Sequence, residues 1–509
     1  MAKKFFKSGV MLTIVGLAMR TVAMLFGAYI SRTVGAEGTG IYTLVMTVYS
    51  FALTLATSGI GLTVTRLVAC AIGEGREEDL SRILRGSLLF SLFFGLLSSV
   101  GLFFGANIIG EAILSDARTV GALRVLSISL IPAALASALS GYFVGVRRVG
   151  FNAVASVFAQ LMRIAVTTLI LVCFIPDGSA GAVIGLCIGI SVTEILAFLL
   201  IFFEFLYDWR KNGVKSNGGS PMIRAVSRTA LPLAFSAYVR SLLLNVEHIL
   251  IPKKLRQSGE SPSEAYSHYG ILHGMALPLV TFPMSPLSSF AGLLVPEFAE
   301  DMAAGNNDRM RRVASRALNT TLCYSAVCAV FLYAFAEELG YAVYDSFDAG
   351  YYISTLALVV PIMYLDHVTD SILKGVGEQV FSMWVNISDS LLSVILVCLL
   401  IPRMGIMGYA AVIVIMEAFN FSLSYMRLRT KVRPKIMPMR AIVFPALFAV
   451  TSAKIASSVL NFSGSCAPVL WLTMKIVFAL CICLACLSLT DLLLQRVDKR
   501  KAKKGFISV

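Results

Sequence analysis

The sequence contains little charge: Asp, Glu, Lys and Arg make up 14% of its 509 residues, whereas soluble domains hold about 25%. Hydrophobic residues reach 57%, which is enough for about 14 membrane crossings of about 20 apolar residues each. A soluble protein is therefore excluded. We predict an all-α integral membrane protein with about 14 transmembrane helices.

Motifs for nucleotide hydrolysis and metal binding are also missing. No G-x-x-x-x-G-K-[ST] occurs, which excludes an ATPase motor within this chain. Nine of the ten cysteines lie in apolar runs and no paired C-x-x-C motifs occur, so we expect no disulfide framework, no metal and no cofactor. The four histidines and the lack of D-x-D in polar loops disfavour a membrane-embedded transferase. We therefore expect a transporter and not an enzyme.

Positive charge is present, but it is unevenly distributed. With 14 crossings, 30 of the 43 Lys and Arg residues fall on the side that holds both termini, and seven fall on the other. The positive-inside rule then places both termini in the cytoplasm, in a multi-pass protein of the cell membrane. The net charge of +14 is explained by this topology and by contact with anionic membrane lipids, and we expect no nucleic-acid partner.

The second half of the sequence repeats features of the first at a spacing of about 230 residues. Gly61-Leu-Thr-Val64 matches Gly292-Leu-Leu-Val295, and Pro132 and Gly145 match Pro361 and Gly375. We therefore predict two pseudo-symmetric six-helix lobes at 1–206 and 226–430, joined by a cytoplasmic linker at 207–225. Two further helices and a basic cytoplasmic tail occupy 431–509. Paired lobes around a cleft are typical of an alternating-access transporter.

Small residues and prolines indicate where helices approach or break. Gly141-x-x-x-Gly145 and Gly181-x-x-x-Gly185-x-x-x-Gly189 predict close helix packing. The apolar run at 268–296 carries four prolines, so we expect it to bend or unwind.

Arginines inside the apolar runs are the candidate substrate ligands. A lipid-facing charge at mid-membrane costs about 2.5–3.5 kcal/mol, so Arg20, Arg163 and Arg240 should face the protein interior. A guanidinium binds phosphate through paired hydrogen bonds and stays charged when buried. We therefore favour substrate binding over internal ion pairing for Arg20 and Arg240, and leave both open for Arg163. Arg32 and Arg66 are further cavity candidates, although Arg66 lies near a helix end where it can snorkel.

Carboxylates in the same runs suggest a second kind of site. Glu247, Asn245 and Asp389 are candidates for a cation or ion-pair site, with Arg240 as an alternative partner of Glu247. Asp366, Asp370 and Lys374 stand at successive i,i+4 positions, which favours a self-satisfied ladder over a proton relay.

Several segments resemble one known family. Arg20–Tyr42, Gly61–Ala69 and Leu373–Gln379 resemble stage V sporulation protein B-like polysaccharide flippases, and Leu293–Gly305 is similar to the wider group that includes the lipid II flippases. The resemblance spans essentially the whole chain and implies the multidrug/oligosaccharidyl-lipid/polysaccharide exporter superfamily, whose members move undecaprenyl-diphosphate-linked sugars across bacterial membranes. It also implies that Arg20 lines the cavity, and that Glu247 corresponds to a seventh-helix cation-binding carboxylate facing Ser393 and Val397.

We accordingly expect a monomeric flippase that moves an isoprenoid-diphosphate-linked glycan by alternating access. The coupling ion is expected to be Na⁺ or H⁺, or the membrane potential drives transport directly. The alternative is a drug/cation antiporter of the same superfamily, which prefers an acidic residue where this sequence has Arg20. The membrane-embedded transferase is the least favoured hypothesis.

Overall fold

A computed structural model describes residues 2–57, 59–146, 148–174, 178–212, 220–437, 439–460 and 468–505. These residues form helices joined by short turns, and no strand occurs among them. The α-helices are α1 Ala2–Thr57, α2 Ile60–Gly73, α3 Leu80–Asn107, α4 Arg118–Ser127, α5 Leu130–Gly145, α6 Val149–Phe174, α7 Gly178–Asn212, α8 Ile223–Gln257, α9 Pro262–Tyr269, α10 Leu277–Thr281, α11 Ser285–Ala303, α12 Asn307–Ala334, α13 Ala336–Tyr344, α14 Phe347–Ala357, α15 Val360–Gly375, α16 Gln379–Met404, α17 Ile406–Lys431, α18 Phe444–Val459 and α19 Pro468–Gly505.

The chain is a multi-pass membrane protein. Within the described ranges, ten helices are long and apolar enough to cross a membrane, or up to 12 if each of two bent helix pairs is one crossing. One of the ten, Ala18–Ile72, is 55 residues long, which is about 80 Å of helix and far more than the hydrocarbon core of about 30 Å requires. Helix α8, with 35 residues, is also long enough to cross. The count is therefore compatible with the predicted 14.

Two long apolar stretches are interrupted where the sequence contains glycine or proline. Gly35 adopts φ 78° and ψ 177° inside α1, a conformation essentially restricted to glycine, and this divides α1 into two helices. Between α9 and α11 the chain passes through a π-helical turn at Gly270–Ala276 and a 3₁₀ turn at Phe282–Met284. The predicted interruption of the proline-rich run is confirmed.

The helix pattern repeats along the chain, as the sequence predicted. The bent pair α4 and α5 is followed about 230 residues later by α14 and α15, which have closely similar lengths and a similar bend. Helices α3 and α12 both have 28 residues, and α6 and α16 both have 26. Each half of the chain therefore builds corresponding helices from matched lengths of sequence.

The packing divides the chain into two compact units. The N-unit comprises 33–270 and 393–408, and the C-unit comprises 1–32, 271–392 and 409–509. The predicted lobes at 1–206 and 226–430 follow the sequence repeat, so their bounds differ from those of the two packing units. That these lobes move as bodies during transport remains a prediction.

In the N-unit, glycines allow helices to pack backbone against backbone. A Cβ at Gly141 of α5 would lie 2.6 Å from the carbonyl oxygen of Gly61 in α2, and one at Gly189 of α7 would lie 2.6 Å from the Thr167 hydroxyl in α6. Both glycine seams predicted from the sequence are therefore present. Val64, Tyr142 and Phe143 fill the core beside the first seam.

The C-unit has two apolar clusters. One joins α11, α12 and α15 through side chains that include Phe298, Leu318 and Ile372. The other packs α18 and α19 against α12 and α13, around Phe331 and Phe335. The last two helices are therefore attached to the C-unit through α12 and α13.

Candidate functional site

Helix α8 places four of the candidate polar side chains in the N-unit: Arg240, Asn245, Glu247 and His248. Ser393 Oγ donates a 2.6 Å hydrogen bond to Glu247 Oε1. The sequence analysis expected Ser393 to face Glu247, and the structure shows that contact. The Glu247 carboxylate is thus held by a neutral hydroxyl, and the structure shows no ion pair for it in the described part of the chain.

A small pocket with several polar lining residues lies between the second half of α1 and α8. Its volume is about 280 Å³, and its lining includes Thr43, Thr47, Ser50, Ser241 and Asn245. The hydroxyls of Thr43, Thr47 and Ser50 donate to backbone carbonyls of their own helix at 2.7, 2.9 and 2.8 Å. Their remaining lone pairs can only accept hydrogen bonds.

Asn245 makes this pocket richer in acceptors. Its side chain is buried, and Nδ2 donates to the carbonyl oxygen of Ser241 at 2.7 Å. Its Oδ1 has no hydrogen-bond partner among the described residues. A pocket lined by such oxygens suits ligands that bring hydrogen-bond donors, such as sugar hydroxyls, or a cation.

Arg163 forms an internal ion pair. Its guanidinium lies 2.7 Å from Glu194 Oε1, which joins α6 to α7 within the N-unit. The sequence left substrate binding and ion pairing open for Arg163, and this contact favours ion pairing. Glu194 was not singled out from the sequence because its partner lies 31 residues away on another helix.

Arg240 and Arg66 have exposed side chains within their apolar helices in the N-unit. The structure shows neither in an ion pair with any described residue. Glu247, the alternative partner of Arg240, bonds to Ser393. A cation that remains exposed within an apolar helix needs water or an anionic ligand, because lipid alone does not solvate it.

Two arginines of α1 belong to the C-unit and differ in their surroundings. Arg20 is exposed, and its charge interacts with His367 of α15. Arg32 donates to the backbone carbonyl oxygens of Tyr341, at 3.3 Å, and Ala342, both in α13. Arg32 therefore anchors the first helix to α13, whereas Arg20 retains a guanidinium that a ligand can reach.

The C-unit also gathers carboxylates from three helices. Asp366 of α15, Asp389 of α16 and Glu417 of α17 are close enough for their charges to interact. Asp366 Oδ1 is buried and has no hydrogen-bond partner in the described chain. Glu417 was missed in the sequence analysis, although a lone carboxylate inside an apolar run was an available signal. The described residues contain no group of three or more His, Cys, Asp or Glu side chains arranged to hold a metal ion.

Part of the predicted acidic ladder is present. Lys374 Nζ lies 2.5 Å from Asp370 Oδ2, one helical turn away, and Asp370 also accepts a hydrogen bond from Ser382. Asp366 Oδ1 has no hydrogen-bond partner among the described residues. The Lys374–Asp370 pair is thus self-satisfied, while Asp366 belongs to the carboxylate cluster.

The arrangement agrees with the comparisons to known proteins. The family described as polysaccharide biosynthesis protein matches residues 5–302, and the family described as MatE matches residues 272–399. Stage V sporulation protein B of Bacillus subtilis (strain 168) is 27% identical over 422 residues, covering 81% of this chain and 82% of that protein. Lipid II flippase MurJ of the same organism is 23% identical over 345 residues, covering 63% of this chain and 62% of the relative.

A solved structure shares the fold. The lipid II flippase MurJ in an inward closed conformation superposes with a TM-score of 0.71 at 14% identity, covering 95% of this chain and 100% of that one. The match extends over nearly the whole length of both chains.

Proposed function

This chain belongs to the polysaccharide biosynthesis protein family, and on that premise we propose that it flips an undecaprenyl-diphosphate-linked glycan across the bacterial cytoplasmic membrane. The glycan is a peptidoglycan precursor or a polysaccharide unit. Transport proceeds by alternating access, and the isoprenoid tail stays in lipid while the head group crosses. Two relatives, a stage V sporulation protein and a lipid II flippase, support a lipid-linked substrate of cell-envelope synthesis.

The observation that carries this proposal is that Arg20 and Arg240 are exposed within apolar helices and have no ion-pair partner among the described residues. Each would be costly in contact with lipid, and each is suited to bind one end of a diphosphate. We propose that both contact the diphosphate during the transport cycle. The pocket beside Asn245 supports a glycan, because its hydroxyl and amide oxygens can accept hydrogen bonds from sugar hydroxyls.

We further propose that a monovalent cation, Na⁺ or H⁺, couples to transport, with the membrane potential as a driving force. Glu247 and Asn245 in the N-unit are candidate oxygen ligands for Na⁺ or for a proton. The cluster of Asp366, Asp389 and Glu417 in the C-unit is a candidate proton acceptor. The same cluster favours the second candidate function, a drug/cation antiporter of the same superfamily. The positive charge of Arg20 in the first helix opposes that alternative.

Depletion of the protein tests this function. The expected result is accumulation of one lipid-linked glycan on the cytoplasmic face of the membrane, relieved by the wild-type chain. An Arg20→Ala, Arg240→Ala double variant should be inserted in the membrane yet fail to relieve the accumulation. Unchanged precursor levels, together with an altered sensitivity to cationic drugs, would favour the antiporter.

A further inference from the structure

A large cavity of the C-unit is lined by none of the residues assigned to transport above. It has a volume of about 1450 Å³ and is bounded by α12, by the segment that leads into α18, and by α19. Its two ends differ in chemistry, and the transport function proposed above uses neither of them.

One end of the cavity is strongly basic. Arg311, Arg312 and Arg316 lie at the start of α12, and Lys435 and Arg440 follow α17. All five are exposed, and Asp308 is the one carboxylate among the lining residues that the structure describes. Arg311 and Arg312 use Nε to donate to the backbone oxygens of Arg433 and Asp308, at 3.0 and 3.3 Å, which leaves their terminal nitrogens for a ligand.

The basic end is held in place by backbone contacts. The backbone N–H of Lys435 donates to Ser315 Oγ at 2.8 Å, and Asn319 Nδ2 donates to the carbonyl oxygen of Lys435 at 2.9 Å. Asn319 Oδ1 in turn accepts from the backbone N–H of Met437 at 2.8 Å. Two side chains of α12 therefore fix the segment at 435–437 beside the helix that carries the arginines.

The rest of the cavity is mainly apolar, although Thr320, Tyr324 and Thr490 also line it. Val327 and Phe331 line it further along α12, and Phe444, Leu484 and Leu487 line it from α18 and α19. From Arg316 to Phe331 the helix rises by about 22 Å, which exceeds the roughly 15 Å thickness of one hydrocarbon leaflet. The cavity therefore extends from the level of lipid head groups well into the hydrocarbon.

We propose that this cavity binds an anionic phospholipid of the cytoplasmic leaflet as a resident ligand. The phosphate lies among Arg312, Arg316 and Lys435, and an acyl chain lies along Phe331 and Leu484. Among the described lining residues, five cations and one carboxylate favour a negative head group, and the cytoplasmic leaflet supplies such lipids. These cations all stand at one end of the cavity, so a head group bound there meets no described cation further along it. This distinguishes a resident lipid from a transported substrate.

Phosphatidylglycerol binding to the purified full-length protein tests the proposal. The variant Arg312→Gln, Arg316→Gln removes two charges one turn apart from the basic end of the cavity. Its matched control is Arg224→Gln, Arg228→Gln, which removes two exposed charges at the same spacing on α8 that do not line the cavity. Native mass spectrometry of detergent-purified protein, titrated with phosphatidylglycerol and with phosphatidylcholine, measures the affinities.

We expect the α12 variant to bind phosphatidylglycerol about 30-fold more weakly. This estimate follows because each of the two removed cations contributes about 1 kcal/mol of attraction to an anionic lipid. The control should retain wild-type affinity. Leu484→Asn, at an exposed position of the apolar wall, should weaken binding without changing the charge. Phosphatidylcholine should bind poorly to all of the proteins.

Three results would overturn the proposal. Equal losses in the α12 variant and in the control would show that only general surface charge attracts the lipid. Inorganic phosphate that competes as well as phosphatidylglycerol would show a phosphate site without a lipid-binding groove. Undecaprenyl phosphate that displaces phosphatidylglycerol at equal or lower concentration would assign the cavity to the substrate lipid. The first two results would leave the proposed transport function intact.

Discussion

Ser393 donates a 2.6 Å hydrogen bond to Glu247 across a sequence separation of 146 residues. The contact joins α16 to α8 within the N-unit and presents the carboxylate to a neutral donor. No cationic side chain of the described chain forms an ion pair with this carboxylate. This relationship makes Glu247 the strongest candidate for a coupling cation in the N-unit.

The first prediction concerns that carboxylate. Glu247→Gln should abolish any Na⁺-dependent rise in Tm, because it removes the charge, and Ser393→Ala should reduce the rise by releasing the carboxylate from its hydroxyl donor. Ser393→Thr keeps the hydroxyl and is the control. Thermal unfolding in NaCl and in choline chloride measures the effect. An unchanged sodium response in Glu247→Gln would exclude this carboxylate from the ion site.

The second prediction concerns Arg20 and Arg240. Replacing either with Ala should weaken substrate binding about 10- to 150-fold, the loss expected when a charge-assisted hydrogen bond of about 1.5–3 kcal/mol is removed. Lys should restore function only in part, because an ammonium lacks the paired donors of a guanidinium. Complementation of a depletion strain, with membrane levels measured in parallel, provides the readout.

The structure adds a control for Arg240. Since Glu247 bonds to Ser393, Glu247→Gln should not rescue Arg240→Ala. A rescue would show that Arg240 and Glu247 neutralise each other, and would remove Arg240 from the proposed substrate site.

The third prediction concerns Arg163 and Glu194. Their side chains are 38% and 26% exposed, so breaking the pair with Arg163→Met should destabilise the protein by about 1–2 kcal/mol, between the values for surface and buried pairs. The double variant Arg163→Met, Glu194→Met should recover most of that loss. A transport defect in the stable double variant would instead indicate a substrate role for Arg163.

The fourth prediction concerns Lys475 of α19, which is almost fully buried. Its ammonium lies 2.5 Å from Glu338 Oε1 and stands over the Phe335 and Trp471 rings at 5.3 and 5.0 Å. Glu338→Ala leaves a buried cation without its carboxylate and should cost about 3–5 kcal/mol. Lys475→Met removes the charge itself, so its loss of folding stability should be far smaller. The Tm values of the two variants in detergent discriminate these outcomes, and equal losses would contradict the explanation.

The fifth prediction concerns pH. Glu378 lies in the turn between α15 and α16, outside the membrane-crossing segments, where hydrogen bonds from Lys431 and Arg427 lower the pKa of its carboxyl below the usual value of 4.5. Because the pKa of Glu378 is lowered in the folded state, its ion pairs stabilise the protein above about pH 4.5. This stabilisation is lost as the pH falls through the lowered pKa. The Tm difference between wild type and Glu378→Gln should therefore be present at pH 7 and vanish in acid. A difference independent of pH would contradict this account.

The sequence alone determined the class of the protein, its repeat and many of its close helix contacts. Apolar length specifies a membrane helix because backbone groups in lipid must bond within their own segment, so each crossing is encoded locally. The close helix contacts at Gly141 and Gly189 were also predictable, because a glycine has no side chain and lets any neighbouring helix pack closely against it. The interruptions at Gly35 and in the proline-rich run likewise follow from residues at the break.

Only the tertiary structure decided which partner each polar side chain meets. Arg163, Arg240 and Arg32 look alike in sequence as arginines in or beside apolar runs. Packing gives the first a carboxylate, leaves the second exposed, and directs the third to carbonyl groups 309 and 310 residues away. The basic end of the large cavity likewise exists only because Asn319 holds the segment after α17 against α12. The local sequence shows that a charged side chain in an apolar helix must avoid lipid. Its contact partner, however, depends on how helices that are distant in sequence pack together.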